Sequence, residues 1–297
     1  AMRLYAASRA ASESSWSGPQ PISETPVPDN LGMAQLTATD DGRVVATWVQ
    51  AVGPDFPHYV LSVKAAVRDS AGAWGAPQPL GADGAFMPMV ATNGEDVVLT
   101  WLDQSDPSGM GSHAASLAAG AGEFSAFRQN PEGELAATIG LAARPDGSIY
   151  AGMVHGTDFG HGLPGSIGRS PSGAWGPLQS PDTEFILPTA GGGLSSDDNG
   201  NLALAWGRGD GTVMVAVGDG AGPRISDVSV PATATVGDTV PVSASAADRF
   251  SSVASTGITF GDGEATSGLS AEHAYSSPGT YTVTMTATDT VGNTSTV

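Results

Sequence analysis

Cysteine is absent from the 297-residue chain, which excludes disulfides, thiol catalysis and cysteine-ligated metals. Cations are scarce: 11 lysines and arginines face 30 acidic residues, the formal net charge is -19, and Lys64 is the one lysine. Such a surface repels polyphosphates and anionic membranes, so nucleic acid is excluded as a partner, whereas solubility and cation binding are favoured. No stretch approaches the roughly 20 apolar residues that span a bilayer, so no membrane insertion is expected. Ala1 to Ala10 lacks the apolar core of a secretory signal, which fits a cytosolic protein or one whose targeting segment has been removed. Long helices are disfavoured as well, because each of the 41 glycines and 21 prolines would cost a helix interior roughly 1 to 3 kcal/mol relative to alanine. With 40 % hydrophobic residues the chain is too apolar for disorder, and its length allows one large or two medium domains. The expectation is a folded, turn-rich, mostly β protein.

What is present is a repeat. An Asp/Asn-Gly turn followed by an apolar strand occurs at Asp41-Gly42, Asn93-Gly94, Asp146-Gly147 and Asn199-Gly200, with the glycines 52, 53 and 53 residues apart. A second marker keeps step with it: Trp16-Ser17-Gly18-Pro19, Trp74-Gly75-Ala76-Pro77, Phe124-Ser125-Ala126 and Trp175-Gly176-Pro177. These turns between apolar runs signal hairpins, because the turn needs positive φ at its centre. In one unit the spacing predicts strands near Ala34 to Thr39, Arg43 to Gln50, Val60 to Arg68 and Trp74 to Leu80. Four strands per roughly 50 residues is the arithmetic of a β-propeller blade, with an elongated β-array or sandwich as the alternative. Residues 1–25 supply only a third and fourth strand, three complete blades follow, and residues 190–222 supply three strands, making seventeen. That count fits neither four nor five closed four-stranded blades. The expectation is therefore a segment of a longer propeller, with an open amino-terminal blade that docks on upstream blades or a neighbouring molecule in preference to the strand near Thr212 to Gly218.

Residues 38–48 and 195–206 carry the pattern that resembles the repetitive propeller-like proteins of secreted bacterial origin. The sialidase Asp-box is not matched, since its aromatic is replaced by Val45 after Gly42 and by Ala203 after Gly200. The fifty-residue beat stops after Gly222. From there short strands follow, the clearest being Thr280 to Thr288, where Tyr281, Val283, Met285 and Ala287 alternate with threonines. Together with Phe260-Gly261-Asp262-Gly263, His273-x-Tyr275, Pro278-Gly279-Thr280-Tyr281 and Asp289-x-x-Gly292, this segment resembles the polycystic kidney disease (PKD) domain, with Ile258 where that family commonly has tryptophan. The resemblance implies an immunoglobulin-like sandwich used for spacing or adhesion in extracellular proteins. The domains expected are a propeller-like repeat at 1–222 and a PKD-like sandwich at 223–297, in an all-β chain with three complete and two partial blades. Asp262 is read as capping its own turn, and His273 as structural.

Chemistry could sit where histidines and acids recur, between the second and third strands of successive blades or at the start of the third. These candidates are Asp55 and His58; Asp103, Asp106 and His113; His155, Asp158 and His161; and Asp210. In a propeller such connections emerge on one face, and imidazole with carboxylate suits zinc, manganese, iron or general acid-base work. His155, Asp158 and His161 form the densest group, although hairpin loops also attract these residues for turn chemistry alone. Calcium held by acidic loops is a further candidate cofactor, without EF-hand spacing. No Gly-x-Ser-x-Gly element supports nucleophilic catalysis, and Arg9, Arg68 and Arg169 recur at one blade position as structural repeats in place of a carboxylate clamp. The tryptophans, repeating at two strand positions, read as packing between blades, with a sugar platform as the alternative. The reading favoured is a noncatalytic bacterial protein, secreted or on the cell surface, whose propeller recognises a glycan or an extracellular protein and whose PKD segment is the spacer. The alternative is a propeller-fold glycoside hydrolase or lyase using acids of the inter-strand loops.

Overall fold

The computed structural model describes residues 3–9, 12, 14–23, 31–52, 60–81, 84–104, 111–125, 128–129, 135–156, 162–182 and 192–297. Every regular element among them is a β-strand, and none is a helix able to cross a membrane. The chain divides into two compact units: Ala1–Asp198 with Leu202–Val217, and Asn199–Asn201 with Gly218–Val297.

The first unit is a series of small antiparallel sheets that resemble propeller blades. A hairpin pairs β1 (Tyr5–Ala6) with β2 (Gln20–Pro21). Two four-stranded sheets follow: β3 (Leu31–Ala38), β4 (Val44–Val52), β5 (Val60–Arg68) and β6 (Gln78–Pro79), then β7 (Ala85–Thr92), β8 (Val97–Asp103), β9 (Gly111–Leu117) and β10 (Arg128–Gln129). The third sheet orders β11 (Leu135–Ala143), β12 (Ile149–Gly156) and β13 (Gly162–Arg169), and bridges from Ser166 to Gln179 and Arg169 to Trp175 stand in for its fourth strand. The last orders β14 (Gly192–Ser196), β15 (Leu202–Gly207) and β16 (Val213–Gly218).

The Asp/Asn-Gly turns act as the sequence requires. Gly42, Gly94, Gly147 and Gly200 have φ of 86°, 98°, 83° and 96°, a region closed to most side chains. First strands of successive sheets lie side by side, β3 against β7, β7 against β11 and β11 against β14. Gly140 permits the last of these approaches, since a Cβ there would strike the backbone of Leu194. The ladders of β3, β7 and β11 each slip at one point, between Gly32 and Gln35, Phe86 and Met89, and Thr138 and Gly140; Met33 and Met87 take positive φ there. A bulge recurring in the first strand bends each sheet at the same level.

The core lies between sheets. Strands β4 and β8 are buried on both faces, so they read as continuous apolar runs where a one-sided sheet would alternate. Trp48, Trp101 and Trp206 are 0, 1 and 3 % exposed. Trp101 packs with Val97, Leu99 and Phe124 against Val45, Val63 and Ala65 of the preceding sheet, and Trp206 joins Leu204 against Val154. Trp48 shares its cluster with Ile22, Leu4 and Ala6, so the β1–β2 hairpin packs against the sheet that follows it. That hairpin forms its own two-stranded sheet, separate from the one that holds β16.

Successive turns are also tied together. The Asp40 amide donates to Gly94 O (2.7 Å), and Asn93 Nδ2 donates to Gly147 O (2.8 Å). Arg43 is 6 % exposed: its Nη1 donates to Ala118 O and Ala121 O at 3.1 and 2.9 Å, Nη2 donates to Glu95 O at 2.9 Å, and Nε meets Asp41 at 2.8 Å. Hydrogen bonds from Thr39 and from Arg43 hold the Asp41 carboxyl down at about 2.

In the second unit β17 (Arg224–Ser229), β18 (Thr239–Ala247) and β21 (Ser270–Ala274) form one sheet. The other orders β20 (Ala265–Ser267), β19 (Val253–Thr259), β22 (Thr284–Asp289) and β23 (Thr294–Thr296). Val240, Val242, Ile258, Phe260 and Met285 fill the space between. The strand expected from Thr280 begins at Thr284, because residues 280–283 run against the turn at Gly261, whose missing Cβ makes room for the Thr282 backbone.

The three carbonyls bound by Arg43 lose their donor in Arg43→Met, and a hydrogen bond to a charged group is worth about 1.5–3 kcal/mol. Urea unfolding should register a loss of about 2–3 kcal/mol for Arg43→Met and a smaller one for Asp41→Asn, whose carboxylate is 47 % exposed. Equal stabilities of wild type and Arg43→Met would contradict the role given to this side chain.

Candidate functional site

Five of the residues singled out in the sequence, Asp55, His58, Asp106, Asp158 and His161, lie outside the described residues. The other four, Asp103, His113, His155 and Asp210, belong to three different sheets. His113 is on β9, 6 % exposed, its ring stacked on Trp101 with centroids 6.0 Å apart and planes 16° apart. His155 is on β12, 9 % exposed, and shares a 2.7 Å hydrogen bond between Nε2 and Ser180 Oγ; Gly165 lies close against its ring. His113 lies near the start of the third strand of its sheet, one of the places expected, and His155 near the end of a second strand; both imidazoles are part of the packing between sheets, because each falls on a strand position buried by its neighbours. Asp103, closing β8, is 4 % exposed. Asp210 is exposed in the turn between β15 and β16, where its Oδ1 accepts from Thr212 Oγ1 (2.7 Å) and Thr212 N (2.9 Å). Those bonds, the side-chain one foremost, lower its pKa. The same arrangement closes the turn at Asp146 with Ser148, which assigns both aspartates to turn geometry.

In the second unit the structure gathers acids that the sequence gave no reason to connect. One carboxylate oxygen each from Asp219, Asp248 and Asp289 lie within 4.8 Å of one another. Asp289 is 2 % exposed; its Oδ1 accepts from the amides of Val291 and Asn293, both at 2.9 Å, and its Oδ2 accepts from Asn293 Nδ2 at 2.8 Å. Burial pushes this carboxyl up, but the Asn293 side chain and the backbone amides together bring it below its ordinary value. Asp248 Oδ1 accepts from Phe250 N and Ser251 N at 2.8 and 3.0 Å, and Asp219 Oδ2 is buried without a hydrogen bond. Calcium takes oxygen ligands at about 2.4 Å, so two of its ligands stand at most about 4.8 Å apart. The three carboxylates satisfy that limit, and their mutual repulsion is relieved by a divalent cation. Asp289 belonged to a visible motif, whereas Asp219 and Asp248 come from distant turns that only the fold brings together.

The expected PKD turn is also in place. Asp262 Oδ1 accepts from Glu264 N (3.0 Å), and Oδ2 is 2.7 Å from His273 Nε2. The Glu264 amide, then His273, lowers the Asp262 pKa against the opposing effect of burial. His273 stacks on Phe260 at 4.1 Å and meets Tyr275 edge-on at 4.6 Å, and Tyr275 donates to Phe260 O at 2.9 Å. This is a structural network around the turn, as the sequence implied.

Calcium at 100 times its dissociation constant would stabilise this unit by about 2.7 kcal/mol. Calorimetry at pH 7 should show its melting transition rising in millimolar CaCl2, with the rise lost in Asp248→Asn and Asp219→Asn. The ligands must be ionised, and the Asp289 carboxyl is held below its ordinary range of about 4, so protonation of Asp289 should not abolish the rise above that pH. A transition indifferent to calcium at pH 7 would remove these residues as a cation site.

No curated protein matches the sequence. Similar solved structures include a protein of unknown function from Dyadobacter fermentans, 12 % identical with a TM-score of 0.44, covering 68 % of this chain and 64 % of its own. An α-L-arabinanase of Penicillium chrysogenum complexed with arabinobiose is 13 % identical with a TM-score of 0.38, covering 61 % of this chain and 60 % of its own. The chain thus spans less than two thirds of the length of either. The β-propeller domain of the Trilobed protease from Pyrococcus furiosus, of open velcro topology, is 9 % identical with a TM-score of 0.26, covering 89 % of this chain and 95 % of its own. The family model of the PKD domain matches residues 220–297, and that segment is a PKD domain.

Proposed function

We propose that the chain is a noncatalytic binding or structural protein, secreted by or displayed on a bacterial cell, whose repeat sheets recognise a glycan or an extracellular protein and whose PKD domain is the spacer that carries them. In this reading residues 1–222 and 223–297 act as separate domains. The observation that carries it is the fate of the two described imidazoles in the repeat: His113 and His155 are packing residues, 6 and 9 % exposed, and Asp210 is a turn residue. A group that exchanges protons with substrate must be within hydrogen-bond reach of it, and these side chains have other structural tasks. The PKD segment supports an extracellular setting, and the net charge of -19 disfavours polyanionic partners. The β1–β2 hairpin offers a surface for self-association, with Tyr5 53 % and Trp16 67 % exposed.

The test pairs binding with turnover on one set of polymers. In affinity electrophoresis against arabinan, galactan, xylan and hydroxyethyl cellulose, the full chain should be retarded by at least one, while reducing-end and unsaturated-uronate assays on those polymers and on ulvan stay at background. Release of product that disappears in Asp158→Asn would overturn this reading in favour of a glycoside hydrolase or lyase.

A further inference from the structure

The sheet interfaces of the repeat are not equivalent, and the difference opens a cleft. Counting back from Trp48 and Trp101, which occupy the same strand position, Val45 corresponds to Val98 and Thr47 to Thr100. Their partners on the third strands are Val67 and Ser116, and Ala65 and Ala114. The same step pairs Val63 with Ser112. The sheet of β3–β6 therefore turns Val63, Ala65 and Val67 toward its successor and packs tightly against it. The sheet of β7–β10 presents Ser112, Ala114 and Ser116 at those positions, with less volume to fill the space.

The aromatic marker shows the consequence. Phe124 is 6 % exposed in the tight interface, and Gln78 grips its backbone from both sides, receiving from Phe124 N at 2.9 Å and donating to Phe124 O at 3.3 Å. Trp175, the next copy of the marker, is half-buried and lines a cleft of about 610 Å³ between β9 and the turn that follows β13. That volume lies within the range of small-molecule sites, about 300–1,000 Å³.

The lining has a consistent chemistry. Trp175 gives an aromatic surface, Ser116 and Ser125 bring hydroxyls 2.9 Å apart, and Ser172 contributes another. Arg169 lies at the cleft with a side chain 11 % exposed; its Nη1 makes no hydrogen bond, and Asp96 Oδ2 stands 3.9 Å away. Arg169 rests against Gly173, where a Cβ would come within 3.2 Å of Nη2, so the guanidinium is fixed by the turn. An aromatic ring beside hydroxyls and a fixed multiple donor matches a ligand with an apolar C–H face and a rim of hydroxyls. The chain's charge of -19 opposes an anionic version of that ligand.

We infer that this cleft is a binding site for a short neutral oligosaccharide, with Trp175 as the stacking platform and Arg169, Ser116 and Ser125 as hydrogen-bonding partners of sugar hydroxyls. The inference rests on the glycan form of the function proposed above and gives that function a place.

The test uses the full chain with arabinotriose, xylotriose, cellotriose and β-1,3-galactotriose as probes and trigalacturonate as a charged control, followed by titration calorimetry and tryptophan fluorescence. At least one neutral trisaccharide should bind more tightly than trigalacturonate. Trp175→Ala should weaken it roughly tenfold or more, the loss typical of a central aromatic contact. Ser116→Val, which restores the residue of the tight interface, should weaken it comparably without lowering the melting temperature, so a folding defect of Trp175→Ala would not obscure the answer. Unchanged affinity in Ser116→Val and in folded Trp175→Ala would overturn the cleft while leaving glycan recognition standing elsewhere on the protein. Failure of every neutral trisaccharide to bind would also overturn the cleft, and the polymer retardation above then decides separately whether glycan recognition survives. Tighter binding of trigalacturonate would overturn the neutral class.

Discussion

Face-to-face packing of small sheets is the interaction on which the first unit depends. Each sheet has only a few short strands, too little to be stable alone in water, and its second strand is apolar on both faces. β8 illustrates the constraint: every residue from Val97 to Asp103 is buried, half toward the preceding sheet and half toward the next. Such a strand has no solvent face to offer, so it exists only as long as sheets flank it. The chain of turns from Asp40 to Gly94 and from Asn93 to Gly147 fixes the spacing at one end, and Arg43 reinforces it with bonds to three carbonyls. Gly81, where a Cβ would strike the Cβ of Ala85 and come within 2.8 Å of the Trp101 indole nitrogen, is required by the same close fit. Where the facing side chains shrink from valine to serine, the fit loosens and the cleft beside Trp175 results.

The second unit solves a different problem. Its two sheets enclose a small apolar core, and its turns are held by carboxylates that accept backbone amides: Asp248 from Phe250 and Ser251, Asp262 from Glu264, and Asp289 from Val291 and Asn293. In an acidic protein this use of aspartate concentrates negative charge at turns. Two of these turns, at Asp248 and Asp289, meet Asp219, whose Oδ1 accepts from Ala221 N at 3.4 Å, which explains how a cation-sized cluster arises from residues that each have a local structural task.

The fold was legible because its signals are local and periodic. Asp41-Gly42 and Asn93-Gly94 announce hairpins through a conformational requirement that two residues carry, and the in-phase tryptophans announce buried second strands. The burial of His113 and His155 could not be read beforehand, because sequence spacing locates a residue along a strand without fixing how deeply its neighbours cover it. Asp219 and Asp248 were invisible for the complementary reason: proximity across separate turns leaves no short-range pattern. The cleft was hidden in the substitution of Val67 by Ser116 at one repeat position, which acquires meaning only when the register of β5 and β9 is known.

Native-state amide hydrogen exchange tests the dependence of each sheet on its neighbours most directly. The account predicts that the amides of Val45 to Val49, Val98 to Leu102 and Ala151 to Val154 exchange through a common opening, with one free energy and one denaturant dependence, and that Trp101→Ala lowers all three together. Separate opening free energies for the three strands, with the effect of Trp101→Ala confined to its own sheet, would contradict it.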